Sequence, residues 1–205
     1  MNTSHPITNK ILNKFRQKKG VPIPTRDLLS LGTRSAVDQA LSRLVRQGLI
    51  RRVRRGVYEL PRIGKLLKQR VSPSPDELIR AWARSNALRV VPSGAYATNL
   101  LGLSTQVPAK IVYYTNGRTQ TVNLDSYHIK LLNRGPKTMD ISGQTAPLVF
   151  QALRYLGKTG TTPQVIQRLR NTLPKKGKTE LQRNLQYAAA WMKPVIEKIV
   201  GEEKP

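Results

Sequence analysis

Cysteine is absent from this chain, which rules out a disulfide framework, a thiol nucleophile and thiolate metal ligands. Histidine is scarce, with only His5 and His128, far apart in sequence, so a structural zinc site lacks ligands. Acidic residues are few: 11 Asp and Glu against 36 Lys and Arg. The clustered carboxylates that hold Mg²⁺ in metal-dependent nucleases are hard to assemble from so small a set. No apolar run approaches the ~18 residues of a membrane-spanning helix. The N-terminal MNTSHPITNK has no apolar core of a secretion signal, and no lipidation signal occurs. HExxH, P-loop, GxSxG and dinucleotide fingerprints are missing as well. Together these absences lead to the expectation of a cytoplasmic protein without catalytic residues, metal or cofactor, and with no membrane partner.

What is present is positive charge. The 205 residues carry a formal net charge of +25, while 39% hydrophobic and 23% charged residues fit a folded chain. A field of that size requires an anionic partner. Nucleic acid is the leading one, and an anionic membrane surface is its rival.

The charge is organised around Thr25 to Arg62, TRDLLSLGTRSAVDQALSRLVRQGLIRRVRRGVYELPR. Thr25 suits an N-cap, with Asp27 in the first turn. Leu28, Leu29 and Leu31 give a short apolar side, and Gly32 suits a left-handed stop. Thr33 can cap the next helix at once. There Val37, Leu41, Leu44 and Val45 fall at i, i+4, i+7 and i+8, one stripe at the helical period. Gly48 ends this helix. Its opposite face is Ser35, Gln39, Ser42, Arg43 and Arg46, with Arg34 at the start. These residue types suit base edges and phosphates: Gln matches adenine, Arg guanine, Ser either. Polar residues on an amphipathic helix are ordinarily a solvated face. This face, however, lacks Glu/Lys pairs, and a basic hairpin follows directly. In that hairpin Val53, Val57 and Tyr58 are strand formers, and Gly56 supplies a turn. Arg51, Arg52, Arg54 and Arg55 crowd one end, with only Glu59 opposing them, and guanidinium matches phosphate. Two helices, a tight turn and a basic hairpin make the layout of a winged helix-turn-helix.

The rest of the chain is consistent with an α+β fold. Pro6 opens a first helix carrying Ile7, Ile11, Leu12 and Phe15 on its apolar stripe, with Gly20 ending it. Val21 to Pro24 can pair as a short strand. Residues 1–62 thus form the N-terminal winged helix-turn-helix domain, and 63–74 a linker. Ser74-Pro75-Asp76-Glu77 reads as a capping box that opens a helix to about Asn86. A strand at 88–91, a helix at 95–101 and strands at 109–115, 120–124 and 127–132 follow. Asn116-Gly117 is a strong hairpin signal, so these strands read as a small antiparallel β-meander. Helices beginning at Thr145, Thr162-Pro163 and Thr179, a basic loop at 173–178 and an apolar segment at 195–200 complete a C-terminal domain of 75–200. Residues 201–205 are expected to fray.

Little chemistry competes with the binding reading. Pro75-Asp76-Glu77 echoes a nuclease motif, but capping accounts for the same residues. His128 reads as a surface or hydrogen-bonded histidine in an alternating strand. Tyr113 and Tyr114 could stack single-stranded RNA, although the alternation places one of them in the core.

The runs GTRSAVDQALSRLVRQGLIRRVRRGVYELPR, PSGAYATNLLGLSTQVPAKIVYYTNG and APLVFQALRYLG resemble the AbiEi antitoxin family of bacterial type IV toxin–antitoxin systems, in its compact subgroup. The resemblance covers Ile7 to about Val200. It implies an N-terminal winged helix that binds double-stranded DNA at inverted repeats in its own promoter, as a monomer or as a dimer assembling on DNA. It also implies a C-terminal antitoxicity domain that counters a cognate nucleotidyltransferase-like toxin, without requiring direct contact with it. The DNA-contacting role then falls on Arg34, Ser35, Gln39, Ser42, Arg43 and Arg46, and on the wing residues Arg51, Arg52, Arg54 and Arg55, placing the protein on the nucleoid when bound. A charge of +25 exceeds what one winged helix needs. A second nucleic-acid contact by the C-terminal domain is therefore a hypothesis the charge raises; Arg134, Lys137, Arg168, Arg170, Lys175, Lys176 and Lys178 are a candidate surface of that domain, and a basic protein binding RNA or DNA without sequence preference is the alternative.

Overall fold

A computed structural model describes residues 6–64 and 69–201. Four expected linker residues (65–68), the tail residues 202–205, and Met1 to His5 lie outside the described residues. The protein is α+β, with small antiparallel sheets. It divides into two compact units: one holds residues up to 89 together with 122–129, the other 90–121 together with residues from 130 onward.

The first unit begins with α1 (Pro6–Gln17), whose Ile11 and Phe15 are fully buried. β1 (Ile23–Pro24) leads into a 3-10 turn (Thr25–Leu31) and then α2 (Arg34–Arg46). Thr33 caps α2 as expected, its hydroxyl accepting from Ala36 N at 3.4 Å. β2 (Arg51–Arg54) and β3 (Val57–Glu59) form a hairpin around Gly56, whose φ of +78° is the left-handed turn conformation that glycine adopts freely. β1 adds to the other edge of β3, giving the order β1-β3-β2, with Ile23 opposite Tyr58 and Arg51 opposite Glu59. Val37, Leu41 and Leu44 of α2 close over Ile11, Phe15, Leu28 and Ile50 in one core.

Three local expectations change here. Thr25 does not cap a helix. Pro24 holds that position without a side-chain bond, and buried Thr25 instead ties to the hairpin, its amide donating to Gly56 O at 2.9 Å. Gly32 is extended (φ 169°), not left-handed. Its need for glycine is proximity, since a Cβ would lie 2.8 Å from Ile7 Cδ1. Val45 is 37% exposed, because the stripe drifts out of the core at the last turn.

Residue 75 was expected to open the second domain. Instead α3 (Pro75–Ser85) packs on β1, β3 and the 3-10 turn, burying Leu78, Ile79 and Trp82 within the first unit. A capping box marks where a helix starts but not which core receives it. The box itself is present: Ser74 Oγ accepts from Glu77 N, and Glu77 accepts from Ser74 N at 2.8 Å. β4 (Arg62–Ile63) and β5 (Arg70–Val71) pair within the expected linker.

The second unit contains β6 (Val90–Pro92), α4 (Gly94–Leu100) and β7 (Ile111–Thr115). β8 (Gln120–Leu124) and β9 (Tyr127–Asn133) join through Asp125-Ser126, Asp125 taking a φ of +53°. The sheet order is β6-β7-β9-β8, so the strands do not form a meander. β7 pairs with β6 and β9, and Asn116-Gly117 does not close a β7–β8 hairpin. Turn chemistry predicts a reversal, but the partner is set by which strand faces fit the core. Buried Tyr113 meets Tyr96 of α4 edge to face, ring centroids 5.5 Å apart.

α5 (Pro136–Met139), α6 (Thr145–Gly160), α7 (Pro163–Thr172), α8 (Lys175–Arg183) and α9 (Lys193–Val200) make up the helical remainder. Their core includes Ile141, Val149, Phe150, Leu153, Leu169, Leu181, Met192 and Ile196. The expected loop at 173–178 is largely the first turn of α8, which begins after Pro174 rather than at Thr179. Glu180 then lies well inside α8. Its carboxylate accepts from Gln144 N and Thr145 N at 3.0 and 2.8 Å, capping α6 from outside. Gly94 allows α4 to lie against α6, since a Cβ there would sit 2.5 Å from Tyr155 Cβ.

Candidate nucleic-acid interface

Helical geometry sets out the exposed side of α2. Ser35, Gln39, Ser42 and Arg46 fall at i, i+4, i+7 and i+11, one solvent-facing stripe along the whole helix. All four are exposed; Arg43, beside the stripe, is half-buried. Arg34 lies to the other side and pairs with Asp38 at 2.8 Å, both partners open to water. The helix has no Glu/Lys pair, as expected, but it does carry this one Arg–Asp pair. An exposed pair of this spacing contributes only about 0.3–0.5 kcal/mol, so it does not fix Arg34.

The hairpin arginines divide into two kinds. Strand alternation turns Arg51 and Val53 inward and Arg52 and Arg54 outward. Arg51 binds the buried Glu59 carboxylate through Nε and donates twice to Asp125, each bond 3.0 Å. Asp125 also accepts a hydrogen bond from Ser72. These contacts raise the Arg51 guanidinium, chiefly through the Asp125 bond, and the same bond holds the Asp125 carboxyl below its ordinary range. Glu59 is shifted the other way, because burial penalises its charge more than Arg51 relieves it. One of its oxygens, Oε2, has no partner among the described residues. Arg51 is thus committed to two carboxylates. Sequence reasoning found Glu59 but missed Asp125, 74 residues away; its only local signal is an aspartate in a two-residue turn.

Arg52 and Arg55 are exposed and carry no ion pair among the described residues. Arg54 is exposed while donating to Asn123 O at 2.7 Å. The available cations of the hairpin are therefore Arg52 and Arg55, with Arg54 partly engaged. Arg16, Lys18 and Lys19 at the end of α1 are also exposed.

Asp76 and Glu77 have structural tasks. Asp76 pairs with Arg80 at 2.6 Å, and Glu77 serves the capping box. His128 Nδ1 lies 2.8 Å from Asn123 Oδ1 at the surface. Among the described residues no group of three or more His, Asp or Glu could hold a metal ion, and no helix is long and apolar enough to cross a membrane.

The chain belongs to a family of unknown function, DUF6088, whose model matches residues 8–181. No curated protein matches it. Among solved structures it is similar to the RV2827C protein from Mycobacterium tuberculosis, at 14% identity and a TM-score of 0.43, over 98% of this chain and 84% of that one.

Proposed function

We propose that the protein is a DNA-binding transcriptional repressor that autoregulates its own operon and acts as an antitoxin against a nucleotidyltransferase-like toxin. Residues 1–62 serve as the winged helix-turn-helix: α2 is the recognition helix, and the β2–β3 hairpin is the wing. The observation that carries the DNA-binding part is the exposed stripe of Ser35, Gln39, Ser42 and Arg46 on a helix whose own unit also presents Arg52 and Arg55. Base-reading side chains on a packed helix, accompanied by exposed guanidinium groups, are what groove recognition with phosphate anchoring requires. The antitoxin part rests on the resemblance to the AbiEi family.

The test is affinity for the DNA upstream of the protein's own gene, against scrambled DNA of equal length, across a salt series. A preference of roughly a thousandfold or more at physiological salt supports a repressor. Co-expression with the product of the neighbouring gene tests the antitoxin part, rescue of growth being the expected result. Binding without sequence preference is the second reading. The observation favouring it is that the basic excess is not confined to the first unit: Lys130, Arg134, Lys137, Lys175 and Lys176 are exposed in the second, and no ion pair engages them among the described residues. Equal, steeply salt-dependent binding to both DNAs is its signature.

A further inference from the structure

The second unit holds a groove unconnected with charge recognition by the hairpin. It has a volume of about 720 Å³, and its walls include α4, the segment after it, and α6 with Arg168 of α7. Its lining includes Leu103, Gln106, Val107, Tyr155, Leu156 and Arg168. Val107 is 80% exposed and Tyr155 61%, the two most solvent-open large apolar side chains of this unit among the described residues. Apolar groups left open side by side in one concavity mark a binding surface rather than scattered surface residues.

Its chemistry narrows the occupant. Arg168 is the one charged residue in the lining, and no acidic side chain lines it. Its guanidinium lies over Gly102, where a Cβ would come within 2.7 Å of Nη2, so the glycine leaves the space that the cation occupies. The segment 103–109 lies in no helix or sheet; Gln106 is engaged, its amide donating to Ser104 Oγ at 3.2 Å and its carbonyl accepting from Asn99 Nδ2 at 3.1 Å, while the amides of Thr105 and Val107 make no hydrogen bond among the described residues. Two main-chain amides without a partner among the described residues, open apolar side chains and one cation together suit a peptide segment.

We propose that this groove docks an extended segment of a partner protein, with an aromatic or aliphatic side chain packed against Tyr155 and Val107 and a neighbouring Asp or Glu on Arg168. Charge complementarity selects that occupant: a chain of net charge +25 attracts acidic partners and repels basic ones. A nucleic-acid strand would need several cations along the groove, and only Arg168 lines it. This inference is independent of the DNA-binding reading.

The experiment uses the full-length chain and a phage-displayed library of random dodecapeptides, followed by anisotropy with the selected peptide labelled. The expected result is a consensus with Asp or Glu beside an aromatic or aliphatic residue. Its binding weakens about tenfold or more in Tyr155→Ser and in Arg168→Glu, is partly retained in Arg168→Lys, and is unchanged in Arg52→Ala. Both substituted side chains are exposed, and an unaltered thermal melt confirms that the variants fold. No consensus, or a consensus insensitive to both groove variants, overturns the proposal. So does a labelled single-stranded oligonucleotide that occupies the groove and is lost in Tyr155→Ser.

Discussion

Replacing Arg51 by alanine separates the arginine that the hairpin's own structure uses from the exposed ones proposed to bind DNA. The substitution leaves Glu59, 1% exposed, with its carboxylate buried and without its hydrogen-bonded cation, and it leaves Asp125 with only its Ser72 hydrogen bond among the contacts described above. Removing one partner of a fully buried pair costs about 3–5 kcal/mol. The Arg51 side chain is 30% exposed, so water reaches part of the gap and screens the loss. About 2 kcal/mol is the appropriate scale. With a urea m-value of about 2 kcal/mol/M, the midpoint falls by about 1 M. The assay is fluorescence of Trp82, which is buried in α3 of the same unit, in a Trp191→Phe background that leaves it as the single tryptophan. Arg52→Ala is the control: its side chain is exposed, and its stability stays within about 0.5 kcal/mol of the parent. Adding Glu59→Gln to Arg51→Ala recovers part of the loss, because an unpaired neutral amide is less costly to bury than a charge. An unchanged midpoint in Arg51→Ala, or an equal fall in Arg52→Ala, refutes this division of roles.

Four further outcomes follow from the same geometry. Arg52→Ala and Arg55→Ala each weaken binding to every DNA sequence and reduce the salt slope by about one, measured by anisotropy over a salt series. Ser74→Ala removes the α3 cap and lowers stability by about 1 kcal/mol in the Trp82 assay. Glu180→Ala exposes the amides of Gln144 and Thr145 and costs about 1–2 kcal/mol, read by far-ultraviolet circular dichroism. Asp125 has a depressed pKa in the folded state, so its contribution is present above the ordinary carboxylate range and is lost as pH falls through its folded value. Glu59 has a raised folded pKa, so its burial cost disappears on protonation and partly offsets that loss. Asp125→Asn therefore flattens the acid limb of the stability–pH curve.

Much of the local structure was legible because local chemistry decides it. The Ser74–Glu77 box, the Gly56 turn, the Thr33 and Thr162 caps and the bounds of β8 all depend on neighbours within a few residues. What was not legible depends on distant parts of the chain. Asn116-Gly117 signals a turn, yet β7 pairs with β6 and β9. Thr25 has the composition of a cap but is drawn to the Gly56 carbonyl. Gly32 was read as a left-handed stop, while its actual constraint is Ile7 on another helix. In the candidate site, the α2 stripe follows from helical periodicity alone. The commitment of Arg51 does not, because Asp125 reaches it from a turn in a different sheet.

The most direct test of the central claim is the ratio of affinities for the protein's upstream DNA and for scrambled DNA, measured at physiological salt for the parent, Gln39→Ala and Arg52→Ala. A high ratio is expected for the parent. In Gln39→Ala the ratio falls by about tenfold or more with little change in affinity for scrambled DNA, and in Arg52→Ala it is roughly preserved while both affinities weaken. A ratio near one for the parent, or identical behaviour of the two variants, would contradict that claim: α2 would then not be reading sequence.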